Sequence, residues 1–163
     1  MLEKMEKEYN FISENTTDMI YLHDCDCTAM CYQNNCLVFE MEWMEVLAEH
    51  PLNPNLKAHQ SGEGKIILFE PQIVECALYE NKKLNGELPE QKIVNIEELN
   101  FKDIEFLEYT EEKMADGYLA KMYLIFNNRT AYHSIAIELK FKKSIVMWDE
   151  LTGESWFEAE MWL

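Results

Sequence analysis

Lysine and arginine are scarce in this chain, and two long stretches have none. No Lys or Arg lies between Lys7 and Lys57, a span that carries nine acids from Glu8 to Glu49. None follows Lys143, where Asp149, Glu150, Glu154, Glu158 and Glu160 stand. With 31 Asp and Glu against 14 Lys and Arg, the formal charge is −17. A field of that sign repels nucleic acid and anionic membranes, and it draws in cations and basic proteins. Glycine and proline number only five and four. No linker is visible, and one domain over residues 1–163 is expected. No apolar run approaches the ~20 residues that cross a bilayer. The start, Met1-Leu-Glu-Lys-Met-Glu-Lys-Glu8, also lacks the basic end and apolar run of a secretory leader. A cytoplasmic protein is the expectation. The nucleophile elbow, phosphate loop, dinucleotide fingerprint and His-Glu-x-x-His are all missing. Nothing amounts to a catalytic signature and no cofactor is called for, so binding is favoured over catalysis.

The hydrophobic share of 48% is that of a folded globule. Leu2, Met5, Tyr9 and Ile12 fall at helical spacing and predict a short amphipathic helix over the first dozen residues. From Met19 the pattern turns to alternation. Strands are expected near 19–32, 36–44, 65–79, 101–110, 118–126, 131–141 and 143–149, with a short last one near 155–160. Asn34-Asn35, Asp116-Gly117, Asn127-Asn128 and Thr152-Gly153 mark turns. Asn95-Ile-Glu-Glu98 has the form of a capping box, which predicts a helical turn. Residues 50–64 read as a long loop, functional or mobile. The fold class is mainly β: a single antiparallel sandwich or open barrel with a short N-terminal helix.

Positions 19–44 constrain chemistry most. His23, Cys25, Cys27, Cys31 and Cys36 invite a zinc reading, yet no second Cys pair follows at a distance. A hairpin with the three-residue loop Gln33-Asn34-Asn35 sets Cys31 opposite Leu37, Ala29 opposite Phe39, Cys27 opposite Met41 and Cys25 opposite Trp43. The cysteines then read as small buried hydrophobes rather than metal ligands. Cys36, on the other face beside the turn, is the thiol left open to react. The same register points Asp24, Asp26, Glu40 and Glu42 outward together, with Asp26 opposite Glu42. Like charges across a strand pair are destabilising, so this face calls for water, a cation or a basic partner. No EF-hand loop is present to make it a calcium site.

His23 reads as a core histidine, with Asp24 pointing away from it. His50 and His59 flank the long loop and are the candidates for lining a pocket. Trp148 and Trp156 sit beside acids in the tail, either closing the core or serving as aromatic anchors for a partner. The segments Tyr21-Leu-His-Asp-Cys25 and Asn35-Cys-Leu-Val-Phe-Glu-Met41 resemble small bacterial β-rich proteins of unknown function that open on a Leu/Phe-His-Asp strand. Some of those are similar to immunity proteins of toxin–antitoxin pairs. The resemblance covers the first hairpin alone; it implies a cytosolic, non-enzymatic β fold and supplies no site residues.

The functional expectation is an acidic, immunity-like domain that neutralises a basic protein. Asp24, Asp26, Glu40, Glu42, Trp148 and Trp156 would make the contact. The alternative is a small-molecule-binding domain or enzyme with a pocket near 50–64.

Overall fold

Asn34 and Asn35 both hold left-handed backbone, with φ of 52° and 61°. Two adjacent positive-φ residues close a hairpin in a two-residue turn, a role Asn tolerates. In the computed structural model, which describes residues 8–80, 90–127 and 131–160, that turn joins β3 (Asp26–Gln33) to β4 (Cys36–Met41). The register therefore runs Gln33 to Cys36, Tyr32 to Leu37, Cys31 to Val38 and Met30 to Phe39. This is one residue off the register that a three-residue loop gives. A bulge between Cys27 and Ala29 absorbs the difference, and Cys27 does face Met41.

The remaining strands are β1 (Phe11–Glu14), β2 (Ile20–Tyr21), β5 (Glu45–Val46), β6 (His59–Ser61), β7 (Gly64–Phe69) and β8 (Gln72–Glu80). They continue with β9 (Glu90–Lys92), β10 (Asn100–Met114), β11 (Gly117–Phe126), β12 (Tyr132–Phe141), β13 (Lys143–Trp148) and β14 (Leu151–Glu154). A short helix, α1, spans Trp156–Glu160. Ten strands form one sheet in the order β1-β13-β7-β4-β3-β10-β11-β12-β8-β9, and four form another, β14-β6-β5-β2. The pairings described are antiparallel, so the molecule is mainly β, with two open antiparallel sheets. Among the described residues no helix is long and apolar enough to cross a membrane.

One face of the large sheet is apolar at every second residue. Ile104 and Phe106 on β10, Met122 and Leu124 on β11, and Ile135, Ile137 and Leu139 on β12 are all buried. Phe39 and Phe106 meet at 5.4 Å between ring centres. Ile20 and Val46 of the small sheet belong to the same cluster, so both sheets share one core.

Several expectations change. Phe11–Glu14 is a strand paired with β13, and no helix is shown among residues 8–14; residues 1–7 of the expected helix lie outside the described residues. Residues 156–160 are helix rather than strand. Thr152-Gly153 lies inside β14 at a bulge and is not a turn between strands. The 65–79 strand breaks at Glu70, whose φ is 50°, ahead of Pro71. Asn128 lies outside the described residues. The turn at Asn95 forms: its side chain accepts the Glu97 N–H at 3.0 Å and opens a 3-10 turn over Ile96–Glu98.

Asn35→Val should lower the unfolding free energy by about 1–2 kcal/mol, because a β-branched residue resists left-handed backbone. Chemical denaturation measures this, and an unchanged midpoint contradicts the turn.

Candidate functional site

Cys27 and Met41 are Cα partners, exposed by only 1% and 2%. Pleat alternation sends their neighbours to the outer face: Asp26 on β3, and Glu40 and Glu42 on either side of Met41. The Asp26 carbonyl accepts the Glu42 N–H at 3.0 Å. On its other side Asp26 is the Cα partner of Glu105. The row continues through Ile125, Ser134, Tyr79 and Glu90. Three carboxylates thus stand side by side, Glu42 just past the end of β4, Asp26 on β3 and Glu105 on β10, and like charges so placed are destabilising.

Asp24 joins them by a different route. It lies outside any strand, its φ is 69°, and its N–H donates to the Phe106 carbonyl at 2.7 Å. That turn brings its carboxyl into hydrogen-bonding contact with Glu105. Burial first, then the Asp24 contact and the charges of Asp26 and Asp24, push the Glu105 carboxyl above its ordinary 4.5, with His23 opposing them. His23 is half exposed and not a core residue. Its Nδ1 donates to the Leu107 carbonyl at 2.6 Å, and its Nε2 lies 3.4 Å from Asp24. The positive φ at Asp24 is what lets these two neighbours face each other.

Among the described residues no Lys or Arg pairs with Asp24, Asp26, Glu42 or Glu105. Asn127 Nδ2 reaches Asp26 at 3.3 Å. Glu40 differs, since Lys65 from β7 lies 3.4 Å from it. Such half-exposed pairs contribute about 0–1 kcal/mol, but Glu40 already has its cation. Glu105 carries no local motif. Only the strand register brings it beside Asp26.

The two tryptophans separate. Trp148, read as a partner-binding ring, is fully buried, because it shares the inward parity of Val146 on β13. Phe11 stacks on it at 5.8 Å and His50 meets it edge-on at 5.2 Å. Trp156 opens α1 and remains 43% exposed.

The histidine candidates also move. His50 is buried at 1%. The Leu52 N–H donates to its Nδ1 at 3.0 Å, so its Nε2 carries the proton and donates to Thr16 Oγ1 at 3.0 Å. His59 sits in β6 with its Nδ1 3.0 Å from the Lys57 carbonyl. Neither lines the nearby cleft of about 560 Å³, whose walls are Phe11, Pro51, Leu52, Pro54, Trp148 and Leu151, with Asp149 and Glu150 beside them. The loop itself is pinned from within. Asn53 Nδ2 donates to the Val46, Leu47 and Lys57 carbonyls, each at 3.2 Å, and its Oδ1 accepts the Asn55 N–H.

Cys25 and Cys27 are buried in the core; burial pushes the Cys27 thiol up to about 12 and raises that of Cys25 further. Cys31 is half-buried on the outer face instead, a consequence of the bulge after Cys27. Burial and then the Glu70 charge raise Cys36, so its thiol stays protonated at neutral pH and is a poor nucleophile. Two acids have no forewarning in the sequence. Glu111 accepts from the Tyr109 hydroxyl at 2.7 Å and from the Thr17 hydroxyl, and burial raises its carboxyl. Glu45 is 1% exposed, with no hydrogen-bond partner for Oε1 among the described residues, and burial raises it too.

Burial lowers His50 from its ordinary 6.5, so the stability it lends is present above that pH and is lost as pH falls toward the lowered value. The contribution of His50 to the unfolding free energy should drop between pH 7 and 5.5, by at most ~1.4 kcal/mol per pH unit. His50→Gln should flatten that slope; identical slopes in the two proteins contradict the assignment. No family model matches this chain, and neither a curated protein nor a solved structure matches it.

Proposed function

We propose that this chain is a non-catalytic, immunity-like protein-binding domain, sandwich-like or open-barrelled, that neutralises a basic partner in the cytosol through the outer face of its large sheet. The carrying observation is the crowding of Asp24, Asp26 and Glu105, which adds to burial in raising Glu105 and has no lysine or arginine to relieve it among the described residues. A basic surface laid on this face gains the attraction and removes the repulsion at once. The net charge of −17 steers such a partner from a distance. Trp156, exposed and beside the acids of the tail, serves as an anchor that holds the complex once formed.

Binding kinetics against the basic protein recovered from the native host at low salt test this. The on-rate should fall as salt rises, and Asp26→Lys with Glu105→Lys should lower it about tenfold while changing the off-rate little. Trp156→Ala should instead shorten the complex lifetime. A salt-independent on-rate overturns the steering mechanism.

The cleft of about 560 Å³ beside Pro51 and Leu52 supports a second reading, a small-molecule site, since its size and apolar walls suit one. Native mass spectrometry that retains a stoichiometric metabolite, with no protein partner recovered, would favour it.

A further inference from the structure

Beside the acidic row, the outer face of the large sheet is hollow. One row of Cα partners runs Glu108, Tyr123, Ala136, Ala77 and Lys92 across β10, β11, β12, β8 and β9. The next runs Lys121, Glu138 and Glu75. Ala136 opposite Ala77 removes side-chain bulk from the middle of the first row. The result is a trough of about 550 Å³, with Tyr79 and Glu90 completing its rim. Four glutamates and two lysines line it. Lys92 is committed, at 3.4 Å from both Glu75 and Glu90. Glu108 and Glu138 have no ion pair among the described residues, and Glu138 stands directly opposite Glu75. Tyr123 is held in place by its hydroxyl, which donates to Ser134 Oγ at 2.9 Å.

This combination selects an occupant by its chemistry. An anion meets the glutamates, and an apolar group strips water from them without replacing it. A divalent cation finds no suitable cluster among the described residues. A guanidinium is planar, carries donors for two carboxylates and stacks on a phenol ring, whereas an ammonium offers only a point charge. We propose that the trough seats an arginine side chain presented by the basic partner. Its guanidinium lies against Tyr123 between Glu108 and Glu138, and its aliphatic stem runs over Ala136 and Ala77. This inference rests on the docking reading above and locates where that docking gains specificity.

The test uses the full chain and blocked arginine (N-acetyl-arginine amide), followed by amide NMR. Saturable shifts are expected at Ala77, Tyr123 and Ala136, with blocked lysine binding about threefold or more weakly. Ala136→Leu fills the trough on a solvent-facing site without changing charge, and Glu138→Gln removes one acceptor. Either should weaken blocked arginine about fivefold or more, while Asp26→Lys with Glu105→Lys leaves it within about twofold. Absence of saturable shifts, equal binding of lysine, or parent-like binding by both trough variants overturns the inference. Against the basic partner, Ala136→Leu should raise the off-rate about tenfold with the on-rate unchanged. An unchanged off-rate removes the arginine seat yet leaves the docking reading standing. A salt-independent on-rate in the parent removes the docking reading, and blocked arginine still reports separately on the trough.

Discussion

Strict alternation along a pleated strand, with one face of the sheet buried, is the constraint on which this molecule depends. A shift of a single residue exchanges the two faces. The first hairpin shows how closely that is managed. Its Asn34-Asn35 turn sets one register, in which Met30 meets Phe39. Carried on unbroken, that register would set Asp26 and Cys27 against Trp43 and Glu42, past the end of β4, and turn Asp26 inward. The bulge after Cys27 restores the pairing with Met41 and keeps Asp26 in water. A charge forced inward would cost several kcal/mol, far more than an irregular ladder.

The same sorting concentrates charge. Apolar residues take the inner face of each strand, and the acids are left together on the other, where strand pairing rather than sequence proximity decides which ones meet. Asp26 and Glu105 are far apart in the chain and adjacent in the sheet. A few acids stay inside at a cost. Glu111 offsets it with two hydroxyl donors, and Glu45 does so less fully. Raised carboxylates of this kind stabilise the fold as pH falls toward 4.5, opposite in sign to the effect of buried His50. Mild acid therefore acts on this protein in two directions at once.

Much of the architecture was legible. Period-two stretches located most long strands, and Asn95 announced its 3-10 turn because capping is a local hydrogen bond. What was not legible depended on partners far away in sequence. Thr28 gives no sign of a bulge, because the bulge reconciles a turn with a core pair several residues off. Trp148 and Trp156 look alike beside their acids; only the parity of β13 buries one, and only the start of α1 exposes the other. The loop after His50 looked free because its restraints, Asn53 to three carbonyls and His50 to Thr16, are side-chain bonds that composition does not reveal. Glu105 was missed for the same reason, since only the pairing of β10 with β3 brings it to Asp26.

Crowding of carboxylates on that face is the central claim, and the titration of Glu105 reports on it most directly. Its carboxyl carbon can be followed by NMR through a pH series, in the parent and in a protein carrying Asp24→Asn and Asp26→Asn. The expected midpoint lies above the ordinary 4.5 in the parent and moves down in the double variant, with the burial contribution left behind. A parent midpoint at or below 4.5, or one that ignores both substitutions, would contradict the shared acidic face.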